Sequence, residues 1–258
     1  MARIALWLFA AVLTVFLTVL FFLPAATLVE IVEKQTAGRL TLGEPQGTLW
    51  HGSAFIGGAA AGNAPVTPLL PGRFSWQLSP LVLLGKVQMR LENPAALSQP
   101  VELSGSWSEW QVSAGSITQP AERLAGLGAP LNTLNPSGQM RVSWNTLNLA
   151  RQGQQVDLRG QTTVELNDIG SALSSIKPLG SYKLTMQWEG QQAQLNLETV
   201  KGALLLSGKG RLAGGQFEFS GKADAARGEE ERLANLLNLL GQRRQEGDKT
   251  IIALEFRQ

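Results

Sequence analysis

Alternation of apolar and polar residues, interrupted by turn signals, recurs through most of this chain and constrains its fold more than any other feature. Val87 to Glu92, Met140 to Trp144, Val156 to Arg159, Tyr182 to Trp188 and Ala193 to Glu198 each follow the pattern, as do Leu204 to Leu212 and Phe217 to Ala223. A period of two places one set of side chains on a buried face and the other in water, which is the pattern of a half-buried strand. The spacers are turn formers: Asn93-Pro94, Asn135 to Gly138, Arg151 to Gln154, Glu189-Gly190 and Ala213 to Gly215. Such short connections join antiparallel neighbours, whereas a parallel crossover needs a dozen residues or more. The reading is mainly β: a large curved, mostly antiparallel sheet, built as a meander or an open sandwich, with a few short helices. Glu229 to Leu240, with Leu233, Leu236, Leu237 and Leu240 on one face and Gly241 beyond its end, predicts a helix packed on that sheet. Pro120 to Leu127 and Asp168 to Ile176 each predict two helical turns, Ile251 to Phe256 a last strand, and Gly57 to Pro71 a loop.

The first 29 residues follow a different rule. From Ile4 to Val29 there is no charged residue, and Ile4, Leu8, Val12, Phe16, Leu20 and Leu23 stand among a dense set of strongly apolar side chains. Twenty such residues in a helix rise about 30 Å, the thickness of a bilayer's hydrocarbon core. A cleaved secretory signal has an apolar region of only about 7–15 residues, and Pro24-Ala25-Ala26 is a poor cleavage site, so a retained single-pass anchor is expected. Arg3 precedes the run, while Glu30, Glu33 and Lys34 after it carry no positive excess. The positive-inside rule then places residues 1–3 in the cytoplasm, the anchor at 4–28 and the β-rich region 29–258 across the membrane.

Composition narrows the chemistry. Lys and Arg total 22 against 20 Asp and Glu, with no clustered basic excess, so no nucleic-acid partner is expected. The chain has no cysteine and one histidine, which removes thiol nucleophiles, disulfides, Cys-ligated metals and His-pair metal motifs. Charged residues make up only 16%, against about 25% in an average soluble protein. The uncharged run supplies part of that deficit; a sheet region rich in Gly, Ser, Thr and Gln supplies the rest.

No candidate site gathers a full set of catalytic groups. His51 and Ser53 share a strand face, but a nucleophilic pair also needs an orienting group and an oxyanion site. A structural hydrogen bond is the plainer reading. Gly208-Lys209 is followed by Gly210 rather than Ser or Thr, so the phosphate-loop pattern fails, and Gly208 to Gly214 misses dinucleotide spacing. Six tryptophans outside the apolar run, Trp50, Trp76, Trp107, Trp110, Trp144 and Trp188, read as sheet packing rather than a ligand platform. No enzymatic activity, cofactor, metal or small-molecule substrate is expected.

A family resemblance rests on motifs in order along the chain. Gly47-Thr-Leu49-Trp50-His-Gly52-Ser-Ala54 is followed by Phe74-Ser-Trp76-Gln-Leu-Ser-Pro80-Leu81. Asn135 to Gly138 precedes the Trp144 strand, then come Pro178-Leu179-Gly180-Ser-Tyr182 and Gly202-Ala-Leu204-Leu-Leu206-Ser-Gly208-Lys-Gly210. Together these resemble the general secretion pathway protein N family, the N components of bacterial type II secretion systems. The resemblance implies a single-pass inner-membrane protein of a Gram-negative bacterium with its sheet in the periplasm. It implies an accessory role in exporting folded proteins across the outer membrane, through contacts with other inner-membrane secretion subunits, and it brings no catalytic residues. The Gly-x-Gly strands near the carboxyl end are also similar to AsmA-like proteins, which use a bent sheet with an apolar inner face and are linked to lipid traffic between membranes. A lipid-handling sheet is therefore the alternative.

Overall fold

In a computed structural model of the chain, residues 2–36, 40–58, 67–68, 70–127, 131–153, 155–246 and 249–257 are described. They form two compact units: Met1–Ala95 with Glu102–Trp107, and Ala96–Val101 with Ser108–Gln258. Of the predicted loop at Gly57 to Pro71, residues 59–66 and 69 lie outside the described residues; Gly57 and Gly58 instead end the strand His51–Gly58, and Thr67–Pro68 form a two-residue strand.

The first unit opens with helix α1 (Ala2–Phe21), then α2 (Thr27–Gln35). Strand β1 (Leu40–Gly47) pairs antiparallel with β2 (His51–Gly58), which also pairs with β3 (Thr67–Pro68) and β4 (Phe74–Leu78); β4 pairs with β5 (Lys86–Glu92). A 3₁₀ turn (Pro80–Leu84) connects β4 to β5. Ala25, Ala54 and Trp76 form its small core, with Leu28, Leu42, Leu78, Met89 and Leu91 packed around it.

The apolar run is not one helix from 4 to 28. Helix α1 stops at Phe21, so Leu23 lies past its end, and a separate helix starts at Thr27. Pro24 explains the break, because proline supplies no backbone N–H and disfavours helical geometry in the residue before it. The described side chains of α1 form an unbroken run from Leu6 to Phe21 that rises about 24 Å. Among the described residues no helix is long and apolar enough to cross a membrane.

In the second unit, strands from β6 (Val101–Ser106) onward lead through β7 (Glu109–Val112), β8 (Gly115–Pro120), the 3₁₀ turn Ala121–Leu127 and the short α3 (Leu131–Leu134); most of β6 itself belongs to the first unit. Then follow β9 (Pro136–Trp144), β10 (Leu147–Gln152), β11 (Gln155–Ser171), β12 (Gly180–Gly190), β13 (Gln192–Gly202), β14 (Leu204–Ala213) and β15 (Gln216–Ala225). Helix α4 (Glu230–Leu240), β16 (Gln242–Glu246) and β17 (Lys249–Arg257) complete it. From β11 to β15 each strand pairs antiparallel with the next, as the short turns require, and β17 closes onto β15. β11 is long enough to pair with β10 near its start and with β9 beyond it.

The predicted helix at Asp168 to Ile176 does not form. Residues 168–171 complete β11: Gly170 and Ser171 pair with Ser137 and Pro136 of β9 and Ile169 with Gly180 of β12, because strand partners satisfy their backbone groups across the sheet. The predicted helix at Pro120 to Leu127 forms as a 3₁₀ turn, Ala121–Leu127. Leu233 and Leu236 of α4 are buried against Leu179, Leu204, Ala223, Ile252 and Leu254, in agreement with the leucine spacing.

Register fixes two chemically distinct faces. Arg141, Glu165, Lys183 and Glu198 stand opposite one another in turn across four strands, a row of alternating charge. A one-residue slip of any strand would move that row into the apolar face, so the register is strongly specified.

Candidate functional site

Two groups of motif residues come together, one in each unit. In the first, the stretch Gly47 to Gly52 forms the turn between β1 and β2 and grips the end of α1. The Ala25 N–H donates to the Gly47 carbonyl (3.1 Å), and the Leu49 N–H donates to the Leu23 carbonyl (2.8 Å). Trp50 is buried, and its Nε1–H donates to the Leu20 carbonyl at 2.8 Å. Leu20 lies in the last turn of α1, where carbonyls have no partner further along the helix, so the indole acts as a C-terminal cap. Trp76 Nε1–H donates in turn to the Leu49 carbonyl (2.9 Å), and its ring lies against the Cα of Gly52, where any Cβ would collide with it. Gly47, Leu49, Trp50, Gly52 and Trp76 therefore form a single clamp. Pro80 sits just beyond it, starting the 3₁₀ turn capped by Ser79.

His51 and Ser53 do not bond to each other. Ser53 Oγ accepts from Arg73 Nη1 (3.4 Å), and the Arg73 guanidinium lies 4.5 Å from the centre of the Phe55 ring and pairs with Glu44 at 3.0 Å. The His51 side chain is exposed. Around it are hydrogen-bonding and packing roles rather than an assembled acid–base pair.

In the second unit, Pro178 to Tyr182 meets Gly202 to Gly210. The Lys177–Pro178 peptide is cis. Leu179 is buried; its N–H donates to the Ile169 carbonyl (2.7 Å) and its carbonyl accepts from Leu204 (3.0 Å). Gly180 stands opposite Gly202, and Tyr182 Oη donates to the Leu204 carbonyl at 3.1 Å. Burial pushes the Tyr182 phenol well above its ordinary range, because the phenolate would lose its hydration. The neutral phenol is thus favoured in the folded state. That contribution is complete below about pH 10, where an unfolded tyrosine ionises, and is lost as pH rises from there towards the raised folded value. Since Tyr182 is the chain's one tyrosine, phenolate absorbance is expected to appear only as the chain unfolds in alkali. Tyr182→Phe is expected to cost about 1 kcal/mol in urea unfolding and to abolish that alkaline signal.

Beyond these contacts lies an apolar face. Ile117, Val142, Val164, Leu184 and Leu197 are direct cross-strand neighbours, and the row continues through Gly208 and Gly221 to Leu254. Beside it runs Trp144, Thr162, Met186, Leu195, Gly210, Phe219 and Phe256. The Phe219 ring lies over Gly208, Gly210 and Gly221, and a side chain on any of them would strike it. Here glycine makes room for an aromatic on the neighbouring strand, which restores the apolar cover that glycine lacks. From Ile117 to Leu197 the first row is only half-buried, and Phe256 in the second is 52% exposed. On the rim, Lys201 Nζ bonds to Asp168 Oδ1 at 2.9 Å and holds that exposed carboxyl below its ordinary value. It is a solvated pair of small energetic weight.

Fold and clamp define a predominantly antiparallel-β protein whose apolar amino-terminal helix is tied to its first hairpin. The family model for type II secretion system protein N matches residues 38–251, and the chain belongs to that family. Neither the curated proteins nor the solved structures contain a match. Membership assigns the chain a general role in type II secretion and interaction with other components of that system.

The matched span begins after both helices, but it contains every motif residue from Gly47 to Gly210. Spacing alone did not reveal the clamp: Trp50 and Leu20 are thirty residues apart, and an indole donor aimed at a helix end leaves no periodic signal.

Proposed function

We propose that the chain is an inner-membrane-anchored accessory of the type II secretion system, with a structural rather than catalytic part in exporting folded proteins across the outer membrane. The family match over residues 38–251 is the observation that carries this reading. Support for the anchor comes from α1. Leu6, Trp7, Leu8 and Phe9 are consecutive and all more than 60% exposed, so apolar side chains project on every side of the helix rather than on one stripe. A helix apolar all round belongs in a protein core or a bilayer. Arg3 then favours a cytoplasmic amino terminus and a periplasmic sheet in a Gram-negative cell. Partners among the inner-membrane secretion subunits would meet the sheet of the first unit, which the clamp ties to α1. Affinity purification of the full chain from detergent-solubilised membranes is expected to bring down such subunits; recovery of the chain without them would count against the accessory role.

A second reading, lipid handling by an AsmA-like sheet, is favoured by one observation: the half-buried apolar row from Ile117 to Leu197. Native mass spectrometry of the purified chain would show phospholipid bound at high occupancy under this reading. A chain free of lipid, with secretion subunits attached, would leave the accessory role alone.

A further inference from the structure

The turn between β4 and β5 exposes more apolar surface than a solvated turn should. Leu81 is 41% exposed, Leu83 48% and Leu84 80%, and Trp107 beside them is 61% exposed. Contiguous apolar exposure of this kind marks an interaction surface. Part of the turn's backbone is already paired: the Leu81 N–H donates to Ser79 Oγ (3.3 Å), and Val82 and Gly85 donate to the carbonyls of Ser79 and Val82 (both 3.1 Å). Trp107 Nε1–H donates to the Val82 carbonyl at 2.6 Å, which fixes its indole on the tip and leaves the ring outward. Each group so paired can enter an apolar medium without the several kcal/mol that an unpaired group costs there.

Its position shows which medium. The Leu78 N–H donates to the carbonyl of Trp50 (2.7 Å), the residue whose indole caps α1 at Leu20. The tip starts two residues later at Pro80, about 7 Å further along an extended chain. Two hydrogen bonds through Trp50 thus link the strand that leads into the apolar tip to the end of the apolar helix. Lys86, exposed at the start of β5, flanks it with a positive charge suited to anionic headgroups. Tryptophan with an apolar ring and a bonded N–H is the residue type favoured at a membrane–water interface.

We propose that Leu81, Leu83, Leu84 and Trp107 form a second membrane contact, which inserts into the lipid interface beside α1 and fixes the orientation of the first unit on the bilayer. This rests on the reading that α1 spans that bilayer. The cysteine-free sequence permits a direct test on the full chain. Leu84→Cys and Phe16→Cys would each carry an environment-sensitive nitrobenzoxadiazole dye in vesicles of phosphatidylethanolamine and phosphatidylglycerol. Nitroxide lipids then report depth. The dye at position 84 is expected to lose most of its emission to a nitroxide near the headgroup, and that at position 16 to one near the bilayer centre. Quenching at 16 without quenching at 84 overturns the second contact and leaves the anchor standing. No quenching at 16 removes the anchor, and the inference with it. A dye at 84 shielded from water yet unquenched by lipid means that protein, a second copy or a partner, covers the tip, and this also overturns the proposal.

Discussion

Trp50→Ala is expected to lower the stability of the first unit by about 3–5 kcal/mol, the usual cost of deleting a large buried aromatic side chain. Trp50 is 4% exposed, and the substitution removes both its volume and the cap on the Leu20 carbonyl. The remaining approach to that carbonyl, from the Leu23 N–H at 3.5 Å, is too long to replace it. Trp50→Phe separates the two effects: it keeps most of the packing but has no donor, and is expected to cost about 1 kcal/mol. Hydrogen exchange provides the local readout. The amides of Ala25 and Leu49, which bond to Gly47 and Leu23, are expected to exchange faster in both variants, while amides of β12 and β13 remain protected. Unchanged protection at Ala25 and Leu49 in Trp50→Phe would mean that the indole bond does not hold the clamp.

Gly202→Ala is expected to destabilise the second unit by about 2–5 kcal/mol, from backbone strain and overpacking together. Gly202 has φ +137°, a conformation that side chains on L-residues rarely adopt, and an added Cβ would run into the Cα of Gly180 and the carbonyl of Leu179. These are backbone atoms, so no side-chain rotation relieves the clash. Relief would require separating β12 from β13, whose register starts at this glycine pair, and moving Leu179 away from the α4 core. Gly214→Ala is the matched control: φ is +58° there, but nothing lies within 4 Å, so only the backbone strain of about 1–2 kcal/mol applies. Thermal unfolding of the two variants should separate them clearly. Equal losses would mean that the close approach of Gly180 and Gly202 contributes nothing.

Much of the sheet was legible because side-chain alternation is a local property. Met140 to Trp144, Tyr182 to Trp188 and Leu204 to Leu212 each fall inside a strand, and the Leu233–Leu240 spacing found α4. Asp168 to Ile176 misled because its polar and small residues suit a helix start locally, whereas β9 and β12 draw 168–171 into the sheet. The anchor's limits were overdrawn because hydropathy counts apolar residues on both sides of Pro24, while the backbone cannot continue a helix through it. As for the sites, the motif residues were visible as a set, but their purposes were not. Gly52 and Trp76 read as common sheet residues until the ring is seen against the glycine, and Leu81 to Leu84 read as an ordinary apolar stretch until their exposure is known.

Export itself tests most directly whether the chain supports type II secretion from the membrane, as proposed. In a strain lacking the chain, a protein normally released by the type II system is expected to accumulate in the periplasm, with release restored by the full chain. The same sheet region behind a cleavable signal, free of α1, is expected to restore little. Undiminished release without the chain would contradict the role in secretion, and full rescue by the unanchored form would contradict the need for the membrane.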